Sequence, residues 1–254
     1  MVRIAAIGDL HIRAQTPNAL ADSLAAVDGT VAALIVAGDI TNGGRLIEAE
    51  QAAELFASIR TPIIAVLGNH DRRCLRPAQF RRTLERSGVR VLNGETTTLD
   101  IGGRIGFAGV AGCGGGFGPF EGPMTLHGRA LKTLALRSRL ESARLDAAIT
   151  RLDAETRIVV MHFAPTTSTL GAEPLLKYWM LGNADLGRVI DRHRVDLVIH
   201  GHAHLGNPVG VTRGGTPVRN VASTVVGGVT LLDVGPRPPQ RPVARPWLSI
   251  GPPP

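Results

Sequence analysis

Five short, predominantly aliphatic runs punctuate the chain: 2–7 (VRIAAI), 31–37 (VAALIVA), 62–67 (PIIAVL), 157–161 (RIVVM) and 195–199 (VDLVI). They lack the strict apolar/polar alternation of a half-exposed strand, and so predict strands buried on both faces. Between them, segments 17–28, 45–60, 77–87, 129–153 and 183–194 read as helices. In the longest of these, Leu131, Leu134, Leu145, Ile149 and Leu152 form the stripe expected to pack on a sheet. Apolar strands alternating with helices predict an α/β fold. The stretches 89–110, 208–221 and 229–234, punctuated by "DIGGR" and "RGGTP", read as further strands with hairpin turns, so the core is mixed or built of two sheets.

Two segments depart from this alternation. Residues 112–118 (GCGGGFG) lack the spacing of a dinucleotide or P-loop fingerprint and read as a mobile loop. From Pro236 onward the chain carries eight of its seventeen prolines, which predicts an extended or disordered tail over 236–254 after one catalytic domain over 1–235.

Composition narrows the function classes. The hydrophobic share of 44% is ample for a core, while an aromatic share of 4% leaves the packing to aliphatic residues. There is no window of eighteen uncharged apolar residues, so no membrane span is expected. The start, "MVRIAAIGDLHI", runs into Asp9 and His11 without a cleavage site, and the expected location is cytoplasmic. Two cysteines, Cys74 and Cys113, make neither a disulfide framework nor a thiolate metal site. The net charge of +7 favours anionic partners. Seven arginines between Arg72 and Arg90 admit a nucleic-acid face, although a solvated basic helix is the simpler reading.

The chemistry sits where the apolar runs end. The first run leads to Asp9 and His11, the second to Asp39, and the third to Asn69, His70 and Asp71. The fourth ends at His162, and the fifth is followed by His202 and His204. In open α/β sheets, sites form outside the carboxyl ends of the strands, so five separate segments are expected to converge. Carboxylates, imidazoles and an amide suit divalent Mn, Fe, Zn or Ni, and the donors are too many for one ion. A pair of ions about 3.5–4 Å apart can activate water and clamp both oxygens of an in-line displacement, which is what an anionic phosphate ester requires.

The blocks "GDLH" (8–11), "GDITN" (38–42), "GNHD" (68–71), "MHFAP" (161–165) and "GHAH" (201–204) resemble the calcineurin-like metallophosphoesterases in order and spacing over about the first 235 residues. The resemblance implies a four-layer α/β/β/α sandwich of two mixed β-sheets. It implies one metal on Asp9, His11, Asp39 and His204, and a second on Asp39, Asn69, His162 and His202, with Asp39 bridging. It also implies hydrolysis of a phosphodiester or small phosphomonoester by a metal-bridging hydroxide, with His70 as acid or electrostatic stabiliser. Manganese is the ion expected to support activity in vitro. His200, His193 and His127 are expected to be structural.

The chain departs from the family's protein phosphatases at Asn42, where they carry an aspartate, so support for His70 is expected from Asn42 or Asp71. Asp71 is accordingly counted with His70 as catalytic. Loops 112–123 and 166–183 are expected to form the lip of the site, with Asn42, Tyr178 and Trp179 as candidate substrate contacts. The alternatives are a nucleic-acid-processing nuclease of the same superfamily and a non-catalytic metal-binding scaffold. A lipid-linked pyrophosphatase would need an exposed apolar face, and the sequence displays none.

Overall fold

In β1 (Val2–Ile7), alternate side chains point to opposite faces, and both faces are buried: Ile4 and Ala6 on one, Ala5 and Ile7 on the other. The same division holds along β2 (Leu34–Ala37) and β3 (Ile63–Val66), which pair in parallel with β1 in a five-stranded sheet. The sheet is completed by parallel β4 (Arg90–Leu92) and antiparallel β11 (Thr230–Val234), in the order β11-β1-β2-β3-β4. The computed structural model describes residues 1–14, 18–118 and 129–236. The expected tail, apart from Pro236, and His127 lie outside those residues.

A second sheet has six strands in the order β5-β6-β7-β8-β10-β9. These are β5 (Glu95–Asp100), β6 (Arg104–Gly109), β7 (Thr156–Val160), β8 (Leu197–His200), β9 (Val209–Val211) and β10 (Pro217–Asn220). The four central strands are parallel and the two edge strands antiparallel. Between the sheets, Ile4, Ile35, Ile64 and Val66 meet Ile105, Phe107, Ile158 and Ile199 in one buried layer. Each fully buried aliphatic side chain in that layer is worth about 1.5–3 kcal/mol.

The outer faces are covered by helices. Leu24 of α1 (Asn18–Ala25), Phe56 of α2 (Leu46–Ala57), and Phe80 and Leu84 of α3 (Pro77–Arg86) pack on Ala5, Ile7, Leu34 and Val36 of the first sheet. On the second sheet lie α4 (Arg129–Arg151) and α6 (Ala184–Arg192), which follows the short α5 (Tyr178–Leu181). The molecule is therefore a four-layer α/β/β/α sandwich. The predicted stripe packs through Leu145 and Ile149, joined by Ala148, with Leu152 just beyond the helix. Leu134 of the same stripe is half-buried, and Leu136 and Leu140, outside the stripe, are exposed.

The sandwich brings the carboxyl ends of β1, β2, β7 and β8 together. The His162 ring after β7 donates through Nδ1 to the Ala37 carbonyl at the end of β2, 2.9 Å away, which ties one sheet to the other. No helix among the described residues is long and apolar enough to cross a membrane.

Candidate metal centre

Asp39 stands at the middle of the gathered loops. Its Oδ1 accepts the His70 backbone N–H at 2.8 Å and lies 3.3 Å from His162 Nε2. Its Oδ2 lies 4.0 Å from His11 Nε2 and 3.8 Å from His70 Nε2. Asn69 joins through its amide oxygen, 3.0 Å from His162 Nε2. Asp9 is engaged at both oxygens, by His204 Nε2 at 2.8 Å and by the His202 backbone N–H at 2.9 Å. Three overlapping triads result: Asp9, His11 and His204; His11, Asp39 and His70; Asp39, His162 and His202. Within each triad the donor atoms lie within 4.8 Å of one another.

The backbone reaches this arrangement at a cost. Among the described residues, the non-glycine residues with positive φ are Asp9, His11, Asp39 and His202, at 58°, 46°, 48° and 70°. All four are predicted ligands, and left-handed backbone at such residues costs about 1–2 kcal/mol each. The glycines of two blocks make room for ligands that arrive from other blocks. A Cβ on Gly68 would stand 2.0 Å from Asp39 Oδ1, and one on Gly38 would stand 2.6 Å from His162 Nδ1.

The electrostatics suit cations. Burial raises the Asp9 carboxyl, but the His204 hydrogen bond and the charge of His162 overcome it and leave the pKa lowered. Burial likewise opposes ionisation of Asp39, and the His162 hydrogen bond and charge prevail, so its pKa too is lowered. Burial pulls His162 down, while the hydrogen bond to Asp39 and the attraction of Asp39 and Asp9 carry it up to about 9. Burial and the charge of His162 push His202 down to about 3, so its ring is neutral. Its Nε2–H donates to the Met180 carbonyl at 3.1 Å, which leaves Nδ1 with the lone pair a metal ligand needs. His11 Nδ1 is buried with no hydrogen-bond partner, so a polar atom is held out of water without compensation. Two carboxylates, an amide oxygen, imidazoles and an orphaned ring nitrogen together fit a divalent metal site.

The remaining predicted residues take distinct places. The His70 ring donates through Nδ1 to the main-chain carbonyl of Asn42, so the expected support for this ring comes from the Asn42 backbone. That carbonyl belongs to a loop whose Gly43 N–H is held by buried Glu48 at 2.8 Å. Asp71 does not reach the His70 ring. Its Oδ1 accepts Thr41 N–H and Oγ1–H, both at 2.8 Å, and its Oδ2 accepts Gly68 N–H at 2.9 Å and Ile40 N–H at 3.1 Å. Tyr178 packs edge-on against Phe117, 6.4 Å between centroids, and Trp179 is 44% exposed beside it in α5. His200 is buried, with Nδ1 2.7 Å from the Gly201 carbonyl and Nε2 2.8 Å from Thr169 Oγ1. His193 pairs with Asp146.

The glycine-rich stretch differs from the mobile loop expected of it. Gly115 N–H donates to the Trp179 carbonyl at 2.8 Å and Gly116 N–H to the Gly182 carbonyl at 2.9 Å, which anchors the stretch to α5. Residues 119–123 of that expected lip lie outside the described residues. Sequence reasoning missed Arg73, whose guanidinium lies 3.3 Å from His70 Nε2 and has no carboxylate partner among the described residues. Its neighbour Arg72 is committed to buried Glu141 at 2.9 Å. Proximity to the third block was the one signal for Arg73, and the run of arginines around it masked that signal.

A two-sheet sandwich with such donors at its strand ends defines a metallophosphoesterase fold. Residues 2–206 match the calcineurin-like phosphoesterase family, and the chain belongs to it. No curated protein matches the chain. One solved structure is similar at a TM-score of 0.64 and 14% identity, covering 91% of this chain and 94% of that one. TT1561 of Thermus thermophilus is similar at 0.53 and 15% identity, with 86% and 88% covered. A putative 5'-nucleotidase from Staphylococcus aureus is similar at 0.52 and 17% identity over 86% of this chain, which spans only 48% of that protein.

Proposed function

We propose that this chain is a divalent-metal-dependent phosphoesterase acting on a phosphodiester or small phosphomonoester. The observation that carries the reading is the meeting of donor triads at Asp39, beside the orphaned Nδ1 of His11. In this reading Asp9, His11, Asp39 and His204 hold one ion and Asp39, Asn69, His162 and His202 a second. Ions held there supply positive charge to phosphoryl oxygens and acidify water. The Ala37 and Met180 carbonyls fix the tautomers of His162 and His202, so each ring offers one lone pair.

His70, fixed by the Asn42 carbonyl, presents Nε2 as an acceptor to the Arg73 guanidinium 3.3 Å away. Protonated there, it donates to the departing oxygen. That requires Arg73 to turn from Nε2 onto a phosphoryl oxygen as substrate binds, since a guanidinium offers only donors. Asp71 is a positioning residue, since both of its oxygens are spent on joining the Asp39 loop to the Asn69 loop. Within the arginine cluster Arg72 and Arg81 are paired with Glu141, Glu85 and Glu95, so these two offer no free charge to the nuclease alternative.

The test is hydrolysis of p-nitrophenyl phosphate and bis-p-nitrophenyl phosphate after chelation and readdition of manganese. Asp39→Ala is expected to abolish turnover and metal uptake, and His70→Ala to slow turnover with metal retained. Full metal occupancy in Asp39→Ala together with metal loss in His70→Ala would reverse these roles. Absence of turnover in the manganese-loaded wild type would remove the enzymatic reading.

A further inference from the structure

Beside the metal centre the chain exposes an apolar face that its sequence pattern does not reveal. A single 3-10 turn, Leu175–Lys177, runs directly into α5, and the pair is apolar on two sides. Tyr178 and Leu181 pack inward on Phe117, Ala164, Leu170 and Ala203. Leu175, Leu176, Trp179 and Met180 fall on the opposite side by helical spacing and are 56%, 83%, 44% and 46% exposed. Leu205, 57% exposed, is fastened to the residues that lead into this turn: its carbonyl accepts Ala172 N–H and its N–H donates to Glu173. Single exposed leucines need no explanation, but a contiguous group marks a surface that binds something.

The face is continuous with the centre. The Met180 carbonyl holds the His202 ring, and Leu205 follows His204 directly. Over 174–182 the chain carries no carboxylate, and its one charge is Lys177. We infer that the substrate of this site is a phosphate ester bearing a long apolar chain, its headgroup at the metal centre and its chain along Leu175, Leu176, Trp179, Met180 and Leu205. The inference rests on the phosphoesterase reading. A small polar ester would leave this face in water, whereas an anionic amphiphile satisfies the centre and the face together; the carboxylate bordering the face, Glu173, is buried and bonded to the Leu205 N–H.

The experiment compares methyl, butyl and octyl 4-nitrophenyl phosphates, below micelle formation, on the manganese-loaded protein. KM is expected to fall by about tenfold or more from methyl to octyl, which corresponds to about 1.4 kcal/mol. In the double variant L175S/L176S that ratio should shrink to within about twofold, a residual of about 0.4 kcal/mol. Equal KM along the series in wild type, or an undiminished ratio in the variant, overturns the inference and leaves the phosphoesterase reading intact. If no ester turns over, that reading fails, and calorimetric titration with octyl phosphate against ethyl phosphate still decides the face. Tighter octyl binding that L175S/L176S removes supports it, and equal binding overturns it. A concentration-dependent dimer that the variant dissolves would assign the face to a second copy of the chain and overturn the inference too.

Discussion

Asp71→Asn separates a residue that positions the site from one that moves protons. The carboxylate is 1% exposed and accepts four hydrogen bonds, from Thr41 N–H and Oγ1–H at one oxygen and from Ile40 and Gly68 N–H at the other. An amide cannot accept at both ends. The cheaper orientation turns its nitrogen toward Thr41, where the hydroxyl can reverse and accept. The Thr41 N–H is then left facing another donor inside the protein. An unsatisfied buried N–H costs about 1–3 kcal/mol, and the surviving bonds lose their charge assistance, so the expected destabilisation is about 2–4 kcal/mol. Asp71→Ala strips the partner from three buried N–H groups and should exceed about 4 kcal/mol.

Urea unfolding of the metal-free variants reads the stability change, and calorimetric titration reads the metal. Because Asp71 joins the loop of Asp39 to the loop of Asn69, its loss should weaken metal binding about 10–100-fold, as for other residues that orient ligands. One result refutes this reasoning: stability within about 0.5 kcal/mol of wild type and full metal affinity, with turnover alone lost. That outcome would return Asp71 to proton handling beside His70.

Gly68→Ala would place a methyl 2.0 Å from Asp39 Oδ1 and 2.3 Å from Asp39 N, and should cost about 1–3 kcal/mol together with bound metal; unchanged metal content after dialysis would count against the crowding argument. Arg73→Ala should raise KM for phosphate esters about tenfold with metal stoichiometry unchanged, and Arg73→Lys should recover part of it; an unchanged KM with lower kcat would mean that the guanidinium acts on His70 instead. Asp28, bonded first to the Thr61 N–H and also to Arg60, has its pKa lowered from 3.8 to about 2, so its contribution to stability is full above the unfolded value and is lost as pH falls through about 2. The gap between wild type and Asp28→Asn in urea midpoint should therefore close between pH 4 and pH 2, and a constant gap speaks against it. His11→Asn removes a buried orphaned nitrogen while keeping a residue that tolerates positive φ, and should raise the melting temperature of the metal-free protein while lowering the gain on adding manganese; a lower metal-free melting temperature contradicts it.

What could be read in advance was set by side-chain chemistry and period. The runs around Ile4, Ile35, Ile64, Ile158 and Ile199 are apolar on both faces, and that double burial is what a sandwich of two sheets between helices requires. Asp9, Asp39, Asn69, His162 and His202 follow those runs directly, so their convergence follows from strand ends meeting. Groups supplied by the backbone were not legible. The carbonyls of Ala37, Asn42 and Met180 orient three histidines, and no residue type announces a carbonyl. Asp71 stands next to His70 in sequence, whereas in space its oxygens accept from Ile40, Thr41 and Gly68. The apolar face of α5 was hidden for a related reason: Leu175, Leu176, Trp179 and Met180 look like core in sequence, and only tertiary packing decides which side of so short a helix is covered.

The strain and the hydrogen bonds of the centre explain one another. Four left-handed ligand residues together cost several kcal/mol, about half of what a marginally stable domain has to spare. They persist because the loops bind each other rather than the solvent. Asp9 N–H reaches the Gly38 carbonyl at 3.0 Å, His11 N–H the Asp39 carbonyl at 3.0 Å and Ile12 N–H the Ile40 carbonyl at 2.9 Å, which zips the first loop to the second. Asp71 fastens the second to the third, and the Asp9 carboxylate takes up the His202 N–H of the last. The strained residues thus hold one another in place, and no single loop could keep its ligand conformation alone. Loss of any one fastening should therefore loosen several ligands at once, and the effects of paired substitutions such as Asp71→Asn with Gly68→Ala should fall short of their sum.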